Sequence, residues 1–332
     1  MKPVRWGILS TASIGTRKVI PGMLKSAELE VAAIASRDAG RAEAAAAELG
    51  IPKAYGSYEA LLADPSIEAI YNPLPNHLHV PWTEAAARAG KHVLCEKPMA
   101  LRADEIDRLR PYAAQVHIRE AFMVRFHPQW LEVRDRVRAG DIGTLRFIQV
   151  AFAYFNDDPA NIRNIEVIGG GALRDIGCYA IVTGRWFFER EPARVIGIFD
   201  RDPSFGTDRV SSALLDFGAG AQLAFTISTQ SAPYQRVQLI GTRGRIEIEI
   251  PFNAPPDQPC RYAVDDGSAL DGSSIRIVTL PRADQYQLQA EAFSRAVREA
   301  RPDASALDDA AANLRIIDAL FASEKSARFE RA

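Results

Sequence analysis

From Val4 to about residue 120, short β-branched runs alternate with helical patterns. VRWGILS, LEVAAIAS, EAIYN and KHVLCE have the length and residue types of strands. GTRKVIPGMLKSA, DAGRAEAAAAELG, SYEALLADP and VPWTEAAARAG lie between them, with the spacing and the Gly or Pro punctuation of helices. Strict alternation means right-handed crossovers and a parallel sheet covered on both faces. The spacing predicts one more helix over ADEIDRLRPYAAQ and one more strand in VHIREAFM.

The pattern then changes. LRFIQVAFAYF alternates as a half-buried strand, and GGGALRDIGCYAIVTGRWFF reads as a helix. ARVIGIF, RVSSALLDF, AQLAFTIST, YQRVQLIGT and GRIEIEI follow as strands with no helix between them, which implies an antiparallel or mixed sheet. The Gly-flanked turn of IGTRGRIEIEI suits a hairpin. Two helical segments, QYQLQAEAFSRAVREA and LDDAAANLRIIDALFASEKS, close the chain. The fold class is therefore α/β, with a Rossmann-type doubly wound parallel sheet over residues 1–124. An α+β domain with a large, mostly antiparallel open sheet is expected over residues 125–332. At 332 residues, two domains are the natural division.

A formal charge of −2 gives no sign of a partner chosen by bulk electrostatics, such as nucleic acid or an anionic membrane, and none is expected. Met1 leads straight into the first strand, without a basic and then apolar leader and without an apolar run of spanning length, so a cytoplasmic location is expected. Cys95, Cys178 and Cys260 match no metal spacing and read as free, buried thiols.

A dinucleotide fold needs small residues after its first strand, where backbone amides approach a pyrophosphate. Here that turn is Ser10, Thr11, Ala12, Ser13, Ile14 and Gly15, and only the last of the three motif positions is glycine. Small residues at the other two still allow close approach. At the end of the second strand, Ser36 and Arg37 stand where an NAD site has a carboxylate, with Arg41 one helical turn beyond. A guanidinium can hold a 2′-phosphate that a carboxylate would repel, so the tip reads as NADP-preferring. The other use of these residues is a solvated Arg37 with Asp38 bent back to the ribose.

In an open parallel sheet, ligands sit outside the carboxyl ends of the strands. CEKP and LPNHLH lie at such ends, and Lys97 thereby falls beside the nicotinamide end of a cofactor. In the second half, Asp175 and Tyr179 are four apart in a helical pattern, on one face. An ammonium near a phenol favours tyrosinate, and such a pair can take the proton of an alcohol while hydride leaves its carbon. Asp175 could orient a second hydroxyl. The ordinary uses are a lysine snorkelling at the rim, Tyr179 packed in a domain interface, and Asp175 paired with Arg174 or Arg185. His77 and His79 have no thiol or carboxylate cluster beside them, so a metal is not expected. GRWFF reads as core, and Arg134, Arg136 and Arg138 as a solvated helix face.

STASIG, ASRDAGRA, LPNHLH, AGKHVLCEKPMA, GGGALRDIGCY and LQAEAF, in that order, resemble the Gfo/Idh/MocA oxidoreductases. IPKAYGSYEALLADPSIEA and the tyrosine of DIGCY are most similar to the branch with dimeric dihydrodiol dehydrogenase, D-xylose dehydrogenases and glucose–fructose oxidoreductase. The resemblance implies NADP as cofactor, Lys97 and Tyr179 as the catalytic pair, and Asp175 as a substrate contact. It implies cofactor contacts at Ser10 to Gly15, Ser36, Arg37, Leu74, Asn76, His79, Glu96 and Lys97, with Arg125 and Arg163 near the nicotinamide. It further implies a homodimer or higher homo-oligomer through the second sheet, and a sugar or cyclic diol as substrate. The alternative is a non-catalytic NADP-binding sensor on the same fold.

Overall fold

The computed structural model describes residues 2–299, 301, 302 and 304–332. Two compact units divide the chain: residues 1–123 with 284–311, and residues 124–283 with 312–332. The stretch 284–311, expected to continue the second domain, instead packs with the first.

The first unit holds β1 (Val4–Leu9), β2 (Leu29–Ala35), β3 (Lys53–Tyr55), β4 (Ala69–Asn72), β5 (His92–Cys95) and β6 (Ile118–Glu120), in the order β3-β2-β1-β4-β5-β6. Every pairing is parallel. The order reverses beside β1, which opens a crevice at the strand ends between β1 and β4. Helices α1 (Ile20–Met23), α2 (Ala39–Leu49), α3 (Tyr58–Leu62) and α4 (His79–Arg88) make the crossovers. The Asp38 carboxylate caps α2 by accepting from the Arg41 amide, and Ser57 caps α3.

One strand was not expected, and one expectation needs correction. Lys53–Tyr55 is a strand that three residues could not announce. ADEIDRLRPYAAQ forms two short 3₁₀ turns, Ala103–Arg108 and Arg110–Tyr112, and not an α-helix. Pro111 lacks the amide that an α-helical turn would need there.

The first helix of the second unit is α5 (Pro128–Ala139) and its first strand is β7 (Leu145–Phe155). The helix α6 (Cys178–Phe188) follows, then β8 (Arg194–Arg201), β9 (Asp208–Asp216), β10 (Gln222–Ser228), β11 (Gln230–Gly241) and β12 (Arg245–Ile248). Next are β13 (Arg261–Asp265), β14 (Ile275–Thr279), α7 (Gln285–Glu299), α8 (Ser305–Ser326) and β15 (Glu330–Arg331). Nine strands run β14-β13-β12-β11-β7-β10-β9-β8-β15, antiparallel except for the parallel pair β7/β10. The expected hairpin joins β11 to β12, with Ile240 opposite Arg245.

One face of this sheet is covered. Ile148, Val150 and Phe152 of β7 point inward, and Trp130 of α5 stacks on Phe187 of α6 at 5.5 Å. Residues 312–326 of α8 seal β8, where Arg201 forks onto Glu324 and Phe199 stacks on Phe321. The other face is open and carries Phe147, Phe155 and Ile198 toward solvent.

The amphipathic α7 belongs to the first unit. Phe293 packs on Trp6 at 5.2 Å, the Trp6 indole donates to Ser294, and Arg298 forks onto Glu68. Lys25 pairs with Asp284 just ahead of the helix.

Candidate active site

The turn after β1 meets the demand of a pyrophosphate by means other than glycine. Ser10 has φ +73°, a left-handed conformation that a serine adopts only with local support. Its hydroxyl supplies that support by accepting from the Ala12 amide at 3.2 Å. The helix then opens at Ser13, and its first-turn amides have no acceptor within the helix, the arrangement that receives an anion. Gly15 is buried against Tyr71 and Pro73. These residues fit a dinucleotide phosphate.

At the tip of β2, Ser36 is buried and its hydroxyl accepts from the Asp38 amide. Arg37 is exposed beside the buried Tyr58, whose phenol burial pushes up and the Arg37 charge draws down. Asp38 is occupied with the α2 cap, and Arg41 lies 3.8 Å from it. The guanidinium of Arg37 is thus the charge presented at the tip. Tyr58 was not legible as part of this group.

The ends of β4 and β5 are tied together through His79. Its Nδ1 lies 2.7 Å from the Pro98 carbonyl and its Nε2 2.6 Å from that of Leu74. Burial pushes the imidazole down to about 4, so at neutral pH one nitrogen carries the proton and the tautomer selects the carbonyl. Asn72 accepts from the Leu74 amide and donates to the His79 carbonyl and Thr83. Glu96 accepts from the Tyr71 hydroxyl at 2.7 Å, and Glu120 from the Met99 amide. Half-buried Lys97 stands between these carboxylates in sequence, joined to Pro98 by a cis peptide. Asn76 opens the short turn Asn76–Leu78 before α4. Among the described residues there is no group of three or more potential metal ligands.

In the second unit the helix of GGGALRDIGCYAI begins with a π turn, Leu173–Gly177, before α6. The Cys178 amide reaches the Leu173 carbonyl, so Asp175 and Tyr179 stand slightly less than one turn apart. Asp175 Oδ2 accepts from the Tyr154 hydroxyl at 2.5 Å and from Arg163 Nε at 2.9 Å. Burial, and next the Asp175 charge, push the Tyr154 phenol well above its ordinary value, so it stays a donor. Arg185 pairs with Glu191 and Arg174 lies over Phe321. Tyr179 is 5 % exposed, its ring set between Phe152 and Phe252, with Thr183 bonded to its carbonyl. Arg125 lies 5.7 Å from the Trp186 ring that Arg134 also covers.

The structure therefore brings Asp175 and Arg163 together and adds Tyr154, which the strand pattern of LRFIQVAFAYF gave no reason to single out. Ser10 to Gly15, Ser36, Arg37, Arg41, Leu74, Asn76, His79, Glu96 and Lys97 belong to the first unit. Arg125, Arg163, Asp175 and Tyr179 belong to the second. The three cysteines are free and buried. No helix among the described residues is long and apolar enough to cross a membrane.

A six-stranded parallel sheet with this turn at its switch point defines an NAD(P)-binding Rossmann protein, here with an appended nine-stranded sheet. Residues 4–125 match the model described as the oxidoreductase family, NAD-binding Rossmann fold. Residues 130–247 match the GFO/IDH/MocA C-terminal domain. An uncharacterized oxidoreductase, ORF334, of Rhizobium meliloti is 48% identical over 99% of both chains. A D-xylose 1-dehydrogenase (NADP(+)) of Haloferax volcanii is 40% identical over 97% of both. A crystal structure of KijD10, a 3-ketoreductase from Actinomadura kijaniata, in complex with NADP and TDP-benzene, superposes with a TM-score of 0.90. That chain is 28% identical, with 97% of this chain and 98% of the other covered. The protein belongs to the Gfo/Idh/MocA oxidoreductases.

Proposed function

We propose that this protein is an NADP-dependent oxidoreductase acting on a hydroxyl or carbonyl carbon of a pyranose sugar or related cyclic diol. The observation that carries the reading is the Asp175 carboxylate, held by Tyr154 and Arg163 on the helix that presents Tyr179. A fixed carboxylate accepts a substrate hydroxyl, and a phenol a few residues away can move the proton of a second one. The Haloferax dehydrogenase and the NADP-bound 3-ketoreductase favour sugar chemistry and NADP.

The turn Ser10 to Gly15 would hold the pyrophosphate, and Ser36, Arg37 and Arg41 the 2′-phosphate. Leu74, Asn76, His79 and Glu96 would line the ribose and nicotinamide. When bound, the nicotinamide supplies the hydride acceptor in oxidation and the donor in reduction. Tyr179 takes the hydroxyl proton in oxidation and returns it in reduction. Lys97 is its partner in the catalytic pair, since an ammonium favours tyrosinate wherever the two meet. Asp175 orients the neighbouring hydroxyl, with Arg163 and Tyr154 fixing its direction. Arg125 would stand near the nicotinamide.

The open face of the second sheet, with Ile198 78 % and Phe155 60 % exposed, suits a second copy of the chain as its cover. The test of the chemistry is Tyr179→Phe and Lys97→Ala across a sugar panel, with NADPH binding followed by fluorescence. Each should lower turnover by about 10²–10⁴-fold while binding persists. A normal rate in Tyr179→Phe removes the phenol from the mechanism. NADPH binding without turnover of any sugar in the wild type replaces the enzyme with a sensor.

A further inference from the structure

Asp208 opens β9, is 2 % exposed, and has no part in the chemistry above. Burial raises its carboxyl to about 6, so the group stands where its charge is disfavoured. A buried carboxylate persists where its hydrogen bonds hold something. Its Oδ2 accepts from the Leu173 amide and from the Ser211 hydroxyl, each at 2.7 Å. Arg201 draws its pKa down from a distance, and its charge is felt by the Tyr154 phenol.

What it holds is the start of the helix that carries Asp175. That helix has no side-chain cap of its own. Its approach is the glycine run, and a Cβ on Gly171 would stand 2.0 Å from Asp208 Oδ1. Gly171 has φ +112°, its amide donates to the Arg163 carbonyl, and its carbonyl accepts from the Asp175 amide. A Cβ on Gly170 would likewise stand 2.5 Å from the Arg163 carbonyl oxygen. The glycines required for this packing leave no local side chain to cap the helix, and β9 supplies the acceptor.

We propose that Asp208 is a positioning residue, which, by fixing Leu173 and the glycine run, sets Asp175 against Arg163 and Tyr154. The proposal rests on the reading of Asp175 as the substrate contact. It assigns Asp208 no contact with substrate or cofactor.

The test compares Asp208→Ala and Asp208→Asn in the full chain with NADP, by amide hydrogen exchange and by the kinetics of D-xylose oxidation. Asn keeps an oxygen for the Leu173 amide, and Ala does not. In Asp208→Ala, exchange over residues 163–177 should quicken about tenfold or more, the loss of one hydrogen bond to a charged acceptor. The rest of the second unit should hold. KM for D-xylose should rise by a similar factor with kcat little changed, and Asp208→Asn should restore both. Unchanged exchange over 163–177, acceleration spread evenly over the unit, or an Asn variant as damaged as Ala overturns the proposal. The exchange result decides the clamp whether or not D-xylose is turned over. Normal turnover in Tyr179→Phe, measured alongside, defeats the catalytic reading and leaves the exchange result standing.

Discussion

Gly171→Ala and Gly218→Ala form a matched pair, because both glycines have positive φ and both lie in the second unit. A Cβ on Gly218, at φ +74°, would meet no atom of the described residues within 4 Å. Its alanine variant should lose only the left-handed strain, about 1–2 kcal/mol. Gly171 differs in that its Cβ would fall 2.0 Å from the Asp208 carboxylate. Strain there costs about 1–3 kcal/mol, and the displaced carboxylate forfeits its bond from the Leu173 amide, about 1.5–3 kcal/mol more. The expected loss is roughly 3–6 kcal/mol, several times that of the control. Urea unfolding followed by near-ultraviolet circular dichroism measures both, the difference appearing as a midpoint lower by about 1 M or more. Equal losses in the two variants would refute the reasoning, because the contact with Asp208 would then contribute nothing.

Arg37→Ala should weaken NADP binding about 10- to 100-fold, the loss of a charge-assisted bond, and leave NAD binding nearly unchanged. Titration of both nucleotides checks this, and an unaltered ratio removes Arg37 from the 2′-phosphate. Asp208 sets a pH dependence of definite sign. Its folded carboxyl is raised from 3.8 to about 6, so the stability tied to its proton is full below the lower value and is lost as pH rises through the higher, while its bonds from Leu173 and Ser211 remain. Relative to Asp208→Asn, the wild type should lose roughly 3 kcal/mol across that window, read by urea unfolding at each pH. Ile198→Glu, on the open sheet face, should shift the protein toward monomer in sedimentation velocity. A wild type that already sediments as a monomer excludes that face as a subunit contact.

Much of the first sheet was legible because buried parallel strands are continuous apolar runs separated by punctuated helices. The residues at its strand ends, Lys97 above all, could be placed by position in the alternation. What escaped were features that depend on distant partners. Asp208 stands 35 residues from the amide it holds, and no local pattern in DRVSSALLD distinguishes it from an exposed strand-opening aspartate. Tyr154 falls on an alternating strand whose pattern gives its face but not its partner. The π turn also escaped, because LRDIGCY satisfies an α-helical spacing equally well. β13 and β14 follow Pro- and Gly-rich loops, and β14 is largely exposed, so the alternation there was faint. The amphipathic stripe of α7 announced a helix, but a stripe cannot say which sheet it will cover.

The attachment of α7 to the first sheet has a consequence for biosynthesis. Trp6 belongs to a core completed by Ala290 and Phe293, which are translated about 280 residues later. The whole of residues 124–283 is made in between. At about 5–20 residues per second, the nascent sheet waits roughly 10–30 seconds for the helix that closes it. Through that interval the apolar surface around Trp6 lacks its cover, and a chain stopped short of residue 284 would never acquire it. A unit begun before residues 124–283 and closed only after them depends for its survival on the order of translation as well as on its contacts.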